Sequence, residues 1–419
     1  MRGLYVHIPI CQHKCGYCDF YSVERPDLLD SFVGLLCREI ALLPERLPEA
    51  VEEELVTVYF GGGTPSLLSP KQLERIVNLL RHTFRIEPQA EWSIECNPGT
   101  VDRVRLRAYR ELGITRVSFG VQSFQDEELR FLERLHTAAE AVEAVQWAHE
   151  VGFEQVNIDL MFALPGQTLH SWERTLEQAV KLAPSHISAY SLIWEPGTAF
   201  YTRWQRGELT PVAEELDATQ YELAAELLTR AGYHHYEVSN FARPGSECRH
   251  NLLYWHGEEY VALGPSAHGY LRGRRYWNVR SLKRYGELLR CGALPIAGVE
   301  QVGPQERLIE LLFLGLRSDG IRFDRLRREF GIELAEEAAP LFEQWEELGM
   351  VAIRSPECLR LNRRGYLFCD ELAAELVLCA ERVWQRRKGS YEVSLLGVSS
   401  VAERIGSNSI NAVGVRTGG

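Results

Sequence analysis

The chain has no excess of positive charge, no long apolar run and no dense cysteine pattern, and each absence removes a class of protein. Its 419 residues carry 46 Lys and Arg against 58 Asp and Glu, a formal net charge of -12. Non-specific nucleic-acid binding depends on cations that neutralise phosphates. This balance therefore argues against a nucleic-acid partner, and the short basic stretches at 272–275 and 325–328 read as solvated faces. No uninterrupted apolar run approaches the ~20 residues that span a bilayer, so no transmembrane segment is expected. The apolar stretch at 4–10 is too short for a signal peptide, and a cysteine run containing Lys14 follows it. Ten cysteines in so long a chain do not make a disulfide scaffold. Cys37, Cys96, Cys291, Cys358, Cys369 and Cys379 read as packed thiols, which suits a reducing, cytoplasmic setting. There is no C-x-x-C-H for covalent heme attachment, and no solenoid-type repeat.

What is present is an ordinary globular composition, 45% hydrophobic and 25% charged, in which strand-length apolar runs alternate with helical patterns. Strands are expected over 4–9, 55–60, 92–96, 116–122, 156–161 and 187–192. Helices are expected over 28–43, from 70, and over 102–112, 137–151 and 169–182. Repeated β/α units imply a parallel sheet, and ligands collect at the carboxyl ends of such strands. From about 304 the pattern changes to short helices (304–316, 323–330, 335–348), a hairpin (350–354 with 358–361) and a helix over 364–387. That pattern suggests a small winged-helix-like domain over 304–387. The Ser- and Gly-rich stretch 388–419 reads as a disordered tail.

The most informative segment is His7-Ile8-Pro9-Ile10-Cys11-Gln12-His13-Lys14-Cys15-Gly16-Tyr17-Cys18, a C-x3-C-x2-C spacing with no fourth cysteine close behind. A [4Fe–4S] cube needs four ligands, and short thiolate runs are its usual holders. Three thiolates leave one iron open, and S-adenosylmethionine (SAM) fills such a place through its amino and carboxylate groups. The reduced cluster can then break the sulfonium S–C bond. On the triplet alone, the alternatives are a zinc site completed by His7 or His13 and buried, inert thiols. Gly61-Gly62-Gly63 permits close backbone approach to a ligand, with a tight turn as the alternative. No Gly-Lys-Ser/Thr follows, so it is not a phosphate loop. Glu95 and Asp159, near strand ends, suit hydrogen bonds to an ammonium or to ribose hydroxyls; capping or surface roles are the alternative.

Together these residues resemble a known family. The three cysteines, Gly61 to Pro65, Glu95-Cys96-Asn97-Pro98, Gly120-Val121-Gln122-Ser123-Phe124, Arg134-x-His136 and Asn157-Ile158-Asp159-Leu160 are similar to the radical-SAM family of oxygen-independent coproporphyrinogen dehydrogenases and heme chaperones. The resemblance runs in order from residue 5 to about 387. It implies an α/β fold: a partial (β/α)6 radical-SAM barrel over 1–290 that includes a heme-motif extension. It also implies a [4Fe–4S] cluster on Cys11, Cys15 and Cys18. SAM contacts would fall on Tyr5, Tyr17, Gly62, Gly63, Thr64, Glu95, Gln122, Arg134, Asp159 and Ile193. Glu133 departs from relatives, which often carry glycine there.

Two features choose between branches of the family. Phe20 stands where the coproporphyrinogen-oxidising enzymes have a further cysteine, and only ten residues precede Cys11, where those enzymes have an extension. His250-Asn251-Leu252-Leu253-Tyr254-Trp255 resembles the H-N-x-x-Y-W motif of the heme chaperones. An exposed histidine can ligate heme iron axially, and Tyr254 and Trp255 could cover a porphyrin face. Taken alone, such a run is more simply a core histidine with two packing aromatics. Cys248 reads as a second ligand or a packed thiol, and His268, in Gly264-Pro265-Ser266-Ala267-His268-Gly269, has no assigned role. The expected function is a heme chaperone that binds the cluster, SAM and heme, served by an electron donor and delivering heme to an acceptor protein. Oxygen-independent oxidative decarboxylation of coproporphyrinogen III is the alternative, and radical-SAM chemistry on an unrelated small molecule is a third.

Overall fold

The computed structural model describes residues 1–388, so the tail expected over 388–419 lies, from 389 onward, outside the described residues. Six strands stand side by side in chain order, all parallel: β1 (Arg2–Ile8), β2 (Leu55–Gly62), β3 (Ile86–Cys96), β4 (Arg116–Gln122), β5 (Gln155–Phe162) and β6 (His186–Ser191). Parallel neighbours need long crossovers, and helices Leu29–Arg46, Pro70–Thr83, Arg103–Glu111, Ala138–Glu150 and Leu169–Lys181 supply them. Three of these begin with capping boxes, Ser69 with Gln72, Thr137 with Glu140 and Thr168 with Ser171. Each such N-cap contributes about 1 kcal/mol.

Successive strand residues face opposite ways, and this sequence uses the two faces differently. Val58, Phe60, Ile94, Val117, Phe119, Ile158, Leu160 and Ile187 are buried on the helix-covered face. There Phe162 lies 5.4 Å from Trp172, and the Arg81 guanidinium sits over the Trp92 ring. Burying a side chain of this kind contributes about 1.5–3 kcal/mol. The other face is polar. Register aligns Tyr59 with Ser93, Ser93 with Arg116, Glu95 with Ser118, Ser118 with Asn157, and Asn157 with His186.

The structure departs from the sequence expectation in several places. β3 starts at Ile86 rather than 92, because a register shift between Leu55 and Thr57 lets Ile86 pair with Leu55 before Glu91 pairs with Thr57. The helix expected over 335–348 is two, Leu334–Glu337 and Ala339–Glu347, the second with a proline in its first turn. The last helix likewise divides into Arg363–Leu367 and Cys369–Lys388. An unanticipated strand, Glu259–Leu263, pairs parallel to the other edge of β1, followed by antiparallel His268–Leu271 and Arg274–Asn278.

The described chain forms two compact units. The larger holds β1–β6 together with 241–253 and 259–300, and the smaller gathers 235–240, 254–258 and the described residues from 301. In the smaller unit Ile321–Arg322, Cys358–Leu361 and Val351–Arg354 form an antiparallel sheet in that order, beside helices, over buried Phe342, Trp345, Leu359 and Leu376.

A buried polar face is stable only when its groups find partners, and Asn157 is the hub of this one. Its amide nitrogen lies 2.7 Å from Asp159 Oδ1, 2.8 Å from Ser118 Oγ and 3.1 Å from Ser188 Oγ, while its oxygen lies 2.6 Å from His186 Nδ1. Asn157→Leu leaves these groups without their shared partner and should lower unfolding free energy in urea by roughly 3 kcal/mol. A loss below about 1 kcal/mol would show that the network is dispensable.

Candidate functional site

Beyond β1 the chain enters a loop that closes on itself. Cys11 N donates to Val23 O (3.0 Å), Val23 N to Pro9 O (2.8 Å) and, within the loop, Cys18 N to Cys15 O (3.0 Å). The glycine run of β2 lies against it. Gly63 N donates to Ile8 O and Thr64 N to Ile10 O, and a Cβ on Gly63 would stand 2.8 Å from Ile10 O. Gly62 has φ of 112°, and a Cβ there would meet the His7 ring at 2.6 Å. Only glycine allows backbone this close. The run is thus a packing seam that fixes the cysteine loop, and Thr64 completes it, its hydroxyl donating to Cys11 Sγ at 3.5 Å.

Glu95 stands next to the seam at the end of β3. Its Oε1 accepts from the Tyr59 hydroxyl (2.8 Å) and its Oε2 from Gly62 N (3.1 Å). Burial, with Asp159 adding to it, raises the Glu95 pKa to about 7 against the pull of those two donors. Asp159 accepts from Ser118 Oγ (3.0 Å) and the Asn157 amide, and burial raises its pKa as well. Tyr5 packs near Gly61, and its hydroxyl is 3.0 Å from His7 Nδ1.

The other part of the rim is built over Gly120. A Cβ there would lie 3.2 Å from Gln122 Nε2 and 3.3 Å from Arg134 Nη2, so glycine makes room for both. Arg134 donates to Asn97 Oδ1 and Gly120 O (2.6 Å each) and to Cys15 Sγ (3.7 Å). Gln122 and Glu133 both have left-handed backbone, with φ of 68° and 56°, a conformation that glycine adopts more readily than either. A cavity of about 100 Å³ opens between Cys15, Asn97, Arg134 and His136. Tyr17 stands edge-on to Phe200 at 6.1 Å, and Ile193 lies half-buried just past β6.

These residues fit an iron–sulfur cluster and an anionic ligand. Among the described residues no three His, Cys, Asp or Glu side chains are placed to hold one metal ion, whereas a cube spreads its thiolates over separate irons. Burial raises the Cys11 thiol pKa and pushes that of Cys18 up to about 12, so metal binding displaces protons. Arg134 Nε is buried without a partner among the described residues, a donor that an anionic group would satisfy. Among the described residues no cysteine is in a disulfide.

One expected site residue lies elsewhere. His250, read as an exposed heme contact, is 1% exposed within the helix Arg249–Trp255. Its Nδ1 is 2.7 Å from Thr57 Oγ1, its ring stacks on Tyr59 at 5.0 Å, and burial lowers its pKa to about 3. The imidazole is packed in the core, not exposed as the motif reading expected. Tyr59 and Asn97, conversely, were not singled out as site residues. Tyr59 was discoverable from β-strand period, since it faces the same side as Gly61 two residues on.

Comparisons with known proteins establish the family and the fold. The sequence matches the Radical SAM superfamily over residues 5–179 and the HemN C-terminal domain over 302–368. Heme chaperone HemW of Bacillus subtilis (strain 168) is 35% identical over 376 residues, covering 89% of this chain and 98% of that protein. Heme chaperone HemW of Mycobacterium tuberculosis (strain ATCC 25618 / H37Rv) is 40% identical over 382 residues, covering 90% and 94%. The structure of coproporphyrinogen III oxidase (HemN) from Escherichia coli superposes with a TM-score of 0.75 at 23% identity, over 90% of this chain and 89% of that one, a likeness of fold. With relatives matched along nearly their whole length, the chain belongs to the HemW heme chaperone family, on a radical-SAM core.

Proposed function

We propose that this protein is a heme chaperone. It holds a [4Fe–4S] cluster on Cys11, Cys15 and Cys18, binds SAM across the strand ends, and takes up heme for an acceptor protein, with an electron donor serving the cluster. The convergence of the three-thiol loop, the glycine seam and Glu95 at the ends of β1–β3 carries this reading. When bound, the cluster and SAM supply reductive cleavage of a sulfonium S–C bond.

The chain's own residues bind and orient. Glu95 takes the SAM ammonium, its carboxylate aimed by the Tyr59 hydroxyl and Gly62 N–H. Gly62, Gly63 and Thr64 offer backbone that a ligand can lie against. Arg134 offers a cation to the SAM carboxylate while its Nη1 steadies Cys15. Asp159, held by Ser118 and Asn157, receives ribose hydroxyls. Tyr5, Tyr17, Gln122 and Ile193 form the walls. Phe20 at the position of the branch cysteine, and relatives named as heme chaperones, favour this reading over coproporphyrinogen oxidation. Free cysteines, and the lack among described residues of any helix long and apolar enough to cross a membrane, support a cytoplasmic site of action.

Anaerobic reconstitution should load about four irons per chain, and alanine at any of the three cysteines should abolish loading. Added heme should bind at about one per chain with a shifted Soret band, and coproporphyrinogen III with SAM and a reductant should not turn over. Stoichiometric zinc in place of iron would overturn the cluster, and steady protoporphyrinogen formation would move the protein to the dehydrogenase branch.

SAM affinity should also depend on pH. Glu95 titrates at about 7, so above that value its carboxylate is ready for the ammonium, and below it a proton must leave first. Affinity measured by equilibrium binding should fall about tenfold from pH 8 to pH 6. Glu95→Gln should bind weakly at both and lose the dependence.

A further inference from the structure

The H-N-x-x-Y-W helix begins not at the surface but on the floor beneath the strand ends. Glu91, on the polar face of β3, accepts from the backbone N–H of Arg249 and His250 (3.1 Å each) and so caps the helix start. The His250 ring then lies over β1 at Gly3, where a Cβ would meet its Cε1 at 3.2 Å and Thr57 Oγ1 at 2.9 Å. A side chain at position 3 would also meet Leu253 Cδ1 at 2.8 Å, so glycine leaves room for the imidazole and its neighbours. Thr57 and Tyr59 are two residues apart on β2 and face the same side. The first bonds His250 Nδ1, and the second stacks on its ring at 5.0 Å with 19° between planes. Tyr5 stacks on Tyr59 as well, at 6.2 Å. Tyr59 is thereby packed against both aromatic neighbours with its hydroxyl aimed at Glu95.

We infer that His250 is a positioning residue for SAM: it holds the Tyr59 ring so that the Tyr59 hydroxyl fixes Glu95 for the SAM ammonium. This rests on the proposed SAM site and assigns the motif histidine to it, away from heme iron. Loss of the imidazole opens space below Tyr59, frees its ring to drop, and leaves Glu95 with Gly62 N–H as its remaining donor of the two. Tyr59→Phe removes only the hydroxyl and should have the same consequence for Glu95. Because both changes act through one hydrogen bond, they should not add.

The experiment measures three things on reconstituted full-length protein: iron content, SAM dissociation constant, and the change in the reduced cluster's EPR spectrum when SAM is added. Wild type must show SAM binding, and its failure to do so sinks the SAM site itself rather than this inference. Given that binding, His250→Ala and Tyr59→Phe should each retain iron and weaken SAM about tenfold, with a diminished EPR response. The double variant should also be about tenfold weaker, not a hundredfold. Heme stoichiometry and the Soret position should stay as in wild type in His250→Ala. Unchanged SAM affinity in both single variants overturns the inference, as does loss of the heme Soret shift in His250→Ala with SAM binding intact. Should His250→Ala fail to fold, Tyr59→Phe with His250→Gln decides. Gln can still reach Thr57 but has no ring to support Tyr59, so full SAM affinity in those two proteins refutes the role.

Discussion

A parallel sheet with helices on one face still has a second face to satisfy, and here that face is polar and buried. Each unpaired buried donor or acceptor would cost about 1–3 kcal/mol, so Ser118, Asn157, Asp159, His186 and Ser188 are tied to one another across three strands. The same requirement orders the site. Glu95 and Asp159 are carboxylates in low-dielectric surroundings, each held by short donors, and both are disposed to receive a ligand that brings positive charge or hydroxyl donors. Chemistry and fold therefore draw on one network, and its lower rows support its upper ones.

Much of this was legible beforehand. The six strands and five crossing helices showed themselves because each has a strong period and several have capping residues such as Ser69 and Thr137. The cysteine triplet and the glycine run stood out because sulfur and bare backbone are rare choices with few uses. The structure adds why three glycines are needed, since positions 61, 62 and 63 meet Glu95, the His7 ring and the Ile10 backbone in turn. Where reading failed, long-range pairing was the reason. The early start of β3 depends on a bulge opposite Leu55, and the strands between 259 and 278 are short segments whose identity comes from β1 and from each other.

His250 illustrates a different limit. A motif of histidine and aromatics taken alone reads more simply as core, the family resemblance turned it toward a ligand, and the structure shows the histidine buried. Glu91 lies 159 residues from the backbone N–H groups it caps at His250, and no local pattern announces that bond. Tyr59 was overlooked for a related reason: it looks like one more strand aromatic until its hydroxyl is seen to meet Glu95.

β1 occupies the middle of the sheet, with β2 on one edge and Glu259–Leu263 on the other. It also precedes both of those neighbours in the chain. Its second edge stays open until a segment more than half the chain away has been made, and sheet closure of that kind is slow because long loops must be organised first. The loop that follows β1 carries all three cysteines, so its anchor is incomplete for most of translation. The loop bearing Cys11, Cys15 and Cys18 is thus rooted on a strand that gains both neighbours only once residues 259–263 have been made and docked.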